Sequence, residues 1–322
     1  AVTTKEQARG LVIAGLVVCF LVSLFAIAQI PSGERASAPF EGETGEPNTL
    51  GGYLVFMLAI VTGLLLTSGA VTNRLPLLLL LAAGAIGLMA TLSRASFLAA
   101  VVLILCVIGF MVPRKPILMT MVLIGILSAP LWAPHAVKER ILYTFTQAQE
   151  EGQIRLGKVR IDTSTSDRLR SWYQSFAIWQ KFPLWGTGVT GGPFIDAMYP
   201  RILTETGLLG LIAFFVLVKS IFRVGVTSYR HATDQFSRGV ALGFLLGFVG
   251  LLVHAVGSNT FLIVRIMEPF WLFAALVVKG LQFAQANEPS EREASVPSIA
   301  VGIDQTARKP ALGRSSFAKP NL

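Results

Sequence analysis

Apolar residues in this chain fall in long unbroken blocks, not at alternating positions. Eight blocks are long enough for a helix of about 20 residues to cross a bilayer core: 11–30, 50–70, 75–92, 95–112, 116–133, 202–222, 239–257 and 261–278. Barrel strands would alternate apolar and polar every second residue, so the blocks predict helices. The first five carry no charged residue. The first, preceded by Lys5 and Arg9, is longer than a signal-peptide core, has no clear small-residue cleavage site and leads into further spans, so it counts as a helix. The expected fold is all-α, a polytopic membrane protein of about eight helices, in line with span length.

Lys and Arg in the connections orient the spans. With the N-terminus inside, the inner segments hold Lys5, Arg9, Arg74, Arg114, Lys115, Lys219, Arg223, Arg230 and Arg238. The first outer loop, 31–49, holds only Arg35 against Glu34, Glu41, Glu43 and Glu46. The expected organisation is a five-helix region over 1–133, a long extracytoplasmic loop over 134–201, a three-helix region over 202–282 and a disordered cytoplasmic tail over 283–322.

Composition narrows the class. Of 322 residues, 53% are apolar and 14% charged, against about 25% charged in soluble domains. Such a balance excludes a disordered chain and argues against a soluble enzyme. Cys19 and Cys106 are too few for a disulfide framework or a cysteine-rich metal site. The net charge of +9 would fit nucleic acid, but with this hydropathy it fits lipid headgroups, anionic glycolipids and positive-inside bias instead. The chain starts at Ala1 and not at Met, as a fragment or a processed form would.

The long loop has its own order. Nine basic residues face six acids, an excess of three positive charges, which points to an anion-binding role or to a solvated loop of mixed charge. Val137, Ile141, Leu142 and Phe145 fall at helical spacing and predict a surface helix over 135–149. After an irregular polar stretch at 152–166, Ser166 or Asp167 can cap a second helix. Its stripe is Leu169, Trp172, Tyr173, Phe176 and Trp179, suited to packing or interfacial anchoring, with Arg168 beside it. Pro183 ends that helix and a glycine-rich turn follows at Gly186, Gly188, Gly191 and Gly192.

Three pieces of the chain resemble the O-antigen ligase and O-antigen polymerase family of bacterial envelope glycosyltransferases. One is the hairpin Leu92-Ser93-Arg94-Ala95-Ser96 between two spans. Another is Asp167-Arg168-Leu169-Arg170-Ser171-Trp172 followed by Pro183-Leu184-Trp185-Gly186-Thr187-Gly188. The third is Asp196-Ala197-Met198-Tyr199 leading to Leu203-Thr204-Glu205-Thr206-Gly207-Leu208-Leu209-Gly210. The likeness covers roughly 76–222. Ligases of the family usually place a His before the last signature, and this chain has none between 136 and 230, which leans toward a polymerase-type member.

The resemblance implies a bacterial inner-membrane enzyme and a glycan donor on a polyprenyl diphosphate. It also implies an acceptor glycan or glycolipid, inversion at the anomeric carbon, no cofactor and no metal. A chain-length regulator is a conceivable further partner; nucleic acid is not. The leaving diphosphate gathers negative charge, and guanidinium groups suit it because they stay protonated and bind phosphate oxygens bidentately. Arg94, Arg168 and Arg265 are the main candidates, with Arg170 and Arg201 in support. Each has a plainer alternative: a snorkelling anchor for Arg94, an ion pair with Asp167 for Arg168, and an i,i+3 pair with Glu268 for Arg265. Asp196 and Glu205 are candidate bases, with capping or helix-dipole roles as alternatives. His254 is a remote candidate, and Ser258 and Asn259 could touch sugar or cap the last span. A transporter or flippase for a lipid-linked or anionic solute is the competing function, and a structural or regulatory membrane protein a third. The charge-free first five spans favour surface chemistry over transport.

Overall fold

The computed structural model describes residues 2–39, 41, 45–68, 74–111, 120, 124, 128, 135–148, 153–156, 159–160 and 162–286. In chain order the helices are α1 (Lys5–Ala28), α2 (Pro47–Thr67), α3 (Arg74–Ala90), α4 (Arg94–Met111), α5 (His135–Thr146), α6 (Thr163–Trp179), α7 (Met198–His231), α8 (Gln235–His254) and α9 (Val264–Ala286). Between α5 and α6 lies an antiparallel pair of two-residue strands, β1 (Arg155–Leu156) and β2 (Val159–Arg160), with Arg155 opposite Arg160.

α1, α2, α7 and α8 are long and apolar enough to cross a membrane by length and composition, while α3 and α4 are shorter apolar helices. The expected span at 261–278 becomes a 3-10 turn at Thr260–Leu262 followed by α9. The expected span at 116–133 lies outside the described residues apart from Thr120, Ile124 and Ser128. So does the expected tail beyond 286, and α9 carries helix a few residues past the predicted boundary at 283.

Side-chain partners set the helix starts. Thr4 and Gln7 form a reciprocal capping box on α1. Pro47 opens α2 behind Glu46, whose carboxylate accepts from the Asn48 amide at 3.3 Å. Asp234 accepts from the Ser237 amide at 2.9 Å at the start of α8. The helix in the long loop starts one turn before Ser166 and Asp167, the residues expected to cap it. Ser166 is buried instead, and its hydroxyl accepts from the Ile154 amide at 2.9 Å, tying the hairpin strand to α6.

α2 and α8 form the centre. Glycines at 239, 243 and 247, each four apart, line the face of α8 toward α2. A side chain on Gly243 would meet the Ile60 Cα at 2.6 Å, and one on Gly247 would meet the Phe56 ring at 2.7 Å. Gly63 of α2 lies directly on the Gly239 and Gly243 backbone. Lipid tails are as apolar as a helix face, so close backbone approach and dispersion drive this contact, not exclusion of water. Phe56, Phe244, Phe248, Phe270 and Phe273 then fill the space between α2, α8 and α9, with Phe244 and Phe270 centroids 5.3 Å apart. α1 and α7 turn Val17, Leu21, Phe215 and Val216 outward, each about half exposed. Apolar faces of that extent fit lipid, not water.

The helices alternate in direction. The C-termini of α1, α3 and α8 and the N-termini of α2, α4, α7 and α9 therefore meet at one end. Long-range bonds close that end: Ala36 N to Ala90 O at 3.0 Å, and Met198 N to Ala255 O at 3.1 Å. Arg265 Nη1 also reaches Pro39 O at 2.7 Å. At the other end Lys5 pairs with Asp234 at 3.9 Å and Arg9 lies over the Phe236 ring.

Candidate functional site

A chain of buried hydroxyls lies under the closed end. Only Thr91, Leu92 and Ser93 separate α3 from α4, and Leu92 takes a left-handed φ of 47° to turn the hairpin. Ser93 caps α4, accepting from the Ser96 amide at 3.3 Å. If each hydroxyl donates once, every bond runs the same way. Thr260 Oγ1 donates to His254 Nδ1 at 2.8 Å, and His254 Nε2 donates to Ser96 Oγ at 3.1 Å. Ser96 Oγ then donates to Ser93 Oγ at 2.8 Å, Ser93 Oγ to Asn48 Oδ1 at 2.7 Å, and Asn48 Nδ2 to Glu46 Oε1 at 2.6 Å. The network assigns the proton to Nε2 of His254. His254 is fully buried and both ring nitrogens are occupied, so it joins helices and does not face solvent.

Above this chain is a small cavity of about 170 Å³ with an entirely polar lining. Its cations are Arg35, Arg94 and Arg168, its carboxylates Glu46 and Asp196, and Asn48 and Ser164 complete it. Each wall comes from a different part of the chain. Arg35 is held by a bond from Nε to Thr91 O at 3.1 Å. Arg94, in the first turn of α4, binds Asp162 at 2.7 Å with one carboxylate oxygen, and Asp162 is 1% exposed. Burial pushes the Asp162 carboxyl upward, but its bonds with Arg94 and Thr165 outweigh this and hold it below the ordinary range.

Arg168 differs from the other two. It makes no ion pair among the described residues, and its Nε is buried without a hydrogen-bond partner there. Asp167, expected as its partner, pairs with Arg170 at 3.7 Å. Across the cavity, Asp196 is fixed through its neighbours, since Asn259 Nδ2 donates to Ile195 O at 2.8 Å. Burial pushes the Asp196 carboxyl up; Arg168 pulls it down and Glu46 pushes it up, and the net direction is upward. A second space of about 580 Å³ adjoins the first and shares Ser164, Arg168 and Asp196 with it.

The glycine-rich turn has a structural task. α7 is broken at Gly207, where φ is 65° and ψ is −163°, a region open essentially to glycine alone. The break frees backbone groups, and the 183–188 turn satisfies them. Thr187 N bonds Thr204 O at 2.9 Å, Gly188 N bonds Glu205 O at 2.9 Å, and Leu208 N bonds Pro183 O at 2.9 Å. Two sequence signatures thus close on each other. A side chain at Gly207 would meet the Leu184 carbonyl carbon at 2.5 Å and the Gly186 nitrogen at 2.7 Å. Gly207→Ala is therefore expected to cost about 1–3 kcal/mol in backbone strain, before any clash. Lower thermal stability of the purified variant checks this; an unchanged melting temperature would contradict it.

The remaining candidates separate from the cavity. Arg265 makes its ion pair with Glu41 at 3.4 Å, not with Glu268, and bonds Pro39 O, pinning the α1–α2 loop. Arg201 and Glu205 pair with each other at 3.0 Å within one turn of α7. Arg170 lines only the larger space. Ser258 and Asn259 are buried, and Asn259 serves the backbone beside Asp196. Arg35, Glu46, Asn48 and Asp162 were not foreseen in the site. Their only sequence signal was position: polar residues just before spans or helices on the same side as Arg94.

No curated protein matches the chain. Residues 77–215 match the family model described as O-antigen ligase. That segment runs from α3 into α7 and contains Arg94, Asp162, Arg168, Asp196 and both glycine signatures, while Arg35, Glu46 and Asn48 come from outside it. The family implies a membrane-embedded, glycosyltransferase-like enzyme of envelope polysaccharide synthesis that acts on lipid-linked glycans. Over residues 77–215 the chain is thus similar to the O-antigen ligase family.

Proposed function

We propose that the protein is an eight-span inner-membrane enzyme with 134–201 on the periplasmic side. It transfers a glycan from a polyprenyl diphosphate to a sugar hydroxyl, as a polymerase or a ligase. One observation carries this reading: three guanidinium groups and two carboxylates line a single polar cavity at the end of an apolar helix bundle. That is the depth at which a lipid-borne diphosphate sits while its polyprenyl tail stays in the bilayer.

The acceptor oxygen attacks the anomeric carbon from the face opposite the diphosphate. The bond from that carbon to the diphosphate oxygen breaks, and the oxygen keeps the electron pair. Configuration is inverted. The hydroxyl proton passes to Asp196, and the charge gathering on the diphosphate is met by Arg168 and Arg94, with Arg35 at the rim. Fixed cations aimed at charge that develops in the transition state are the main catalytic term in such a site. Arginines, and not a divalent cation, carry that charge in this scheme. Asp196 is favoured over Glu205 as the base because Glu205 is engaged by Arg201, whereas burial leaves Asp196 more basic than an ordinary carboxylate.

Purified protein given a polyprenyl-diphosphate oligosaccharide should yield longer lipid-linked products or acceptor-linked glycan, with release of polyprenyl diphosphate. Donor recovered unchanged, under conditions where it binds, would overturn the reading. The pH profile tests the base separately. Asp196 must be ionised to accept a proton, so activity should rise with pH through a midpoint above the ordinary carboxylate value. Glu46→Gln removes a negative neighbour, so the limb should move to lower pH. A limb that stays in place in this variant would remove Asp196 from that role.

A further inference from the structure

We infer that the larger space beside the arginine cavity is the subsite for the acceptor glycan, with Phe194 as its stacking platform. The inference rests on the transferase reading above. The two spaces differ in size and chemistry. The smaller, at about 170 Å³, falls below the ~300–1,000 Å³ of small-molecule sites and is lined by charge. The larger, at about 580 Å³, falls within the ~300–1,000 Å³ of small-molecule sites. It combines Asp167, Ser171 and Gln174 with one aromatic ring, Phe194.

That combination matches a sugar. A pyranose ring offers hydroxyls at its edge, which carboxylate, hydroxyl and amide side chains can bond as donors and acceptors. It also offers an apolar C–H face, which lies against an aromatic ring. Phe194 is 79% exposed outside the helices, and the Arg201 guanidinium sits over its ring at 6.0 Å. Arg201, itself anchored by Glu205, therefore orients the platform and does not need to reach the diphosphate. The junction has the chemistry transfer requires: Arg168 and Asp196 border both spaces, so a hydroxyl of a glycan in the larger one meets the proposed base next to the diphosphate site.

The test uses the full chain in nanodiscs without any donor. The probe is the oligosaccharide released by mild acid from the producing cell's own envelope polysaccharide, followed by saturation-transfer NMR. The wild type should bind it, and Phe194→Ala should weaken binding by about tenfold, the scale of one well-placed aromatic contact. Phe194→Trp should restore binding and Gln174→Ala should weaken it several-fold. Trp185→Ala, which removes a comparably exposed aromatic outside the groove, should bind as the wild type does. In the transfer assay Phe194→Ala should raise the acceptor KM and leave the donor KM in place. Absence of glycan binding by the wild type would overturn the subsite. Equal losses in Phe194→Ala and Trp185→Ala would also overturn it, pointing to general contact with lipid. Glycan binding without transfer would instead refute the transferase reading and leave the subsite standing.

Discussion

Arg168→Ala should reduce glycan transfer by about 10²–10³-fold, the loss seen when one preorganised charge-stabilising donor is removed from an active site. The protein should remain folded and inserted. Both halves of this expectation follow from the environment of Arg168. It lines the cavity opposite Asp196 and makes no ion pair among the described residues. A cation held there with a buried, unpartnered Nε adds little to stability, because a buried donor without a bond is itself a cost. Removing it also takes away the cation that offsets burial at Asp196, whose carboxyl should titrate higher still and can stay neutral. Arg168→Lys should also be strongly impaired, since an ammonium supplies a point charge but not the planar fork that binds two phosphate oxygens. Steady-state kinetics with the lipid-linked donor, beside a thermal melt of each variant, make the comparison. Wild-type turnover in Arg168→Ala would exclude it from the site; a collapsed fold would show that its role is structural.

Arg94→Ala should lose activity and stability together. Asp162 is almost fully buried against Arg94, so removing the guanidinium leaves an uncompensated carboxylate. Breaking a buried pair in this way typically costs about 3–5 kcal/mol. The two effects can be separated. Asp162→Asn added to Arg94→Ala removes the stranded charge, and stability should largely return while transfer does not. Recovery of both would mean that Arg94 serves only to hold α6 against α4. The pH dependence has a definite sign. Asp162 titrates below its ordinary value in the fold, so the pair contributes fully at neutral pH. Its contribution is lost only as pH falls through the folded value, below the ordinary 3.8.

The membrane helices were legible because a bilayer imposes a simple demand: about 20 apolar residues with every backbone group satisfied internally. The blocks at 11–30, 50–70 and 239–257 correspond to α1, α2 and α8 within a turn or two. The packing of α2 on α8 was also readable in principle, from Gly239, Gly243 and Gly247 at four-residue spacing. Ion pairs were less so. Spacing rules reach only three or four residues along a helix, which explains why Glu268 looked like the partner of Arg265 when Glu41 is the one that meets it. Arg94 and Asp162 lie 68 positions apart, and no local pattern joins them. Arg94, Arg168 and Asp196 could be named from the sequence because they stand in or beside motifs that resemble those of the O-antigen ligase family. Arg35, Glu46 and Asn48 could not, because the helix bundle brings them to the cavity from the preceding loop. The glycine-rich turn closes the break at Gly207, a pairing that spacing alone does not reveal; a chain that leaves a helix must find partners for the freed amides.

The most direct measurement is photocrosslinking with a polyprenyl diphosphate that carries a photoreactive group next to the phosphates, followed by peptide mapping. Labelling should fall on the hairpin around Arg94 and on the first turns of α6 around Arg168, and excess unlabelled polyprenyl diphosphate should abolish it. Labelling confined to the opposite end of the bundle, near Lys5 and Arg9, would contradict the assignment of the cavity to the diphosphate.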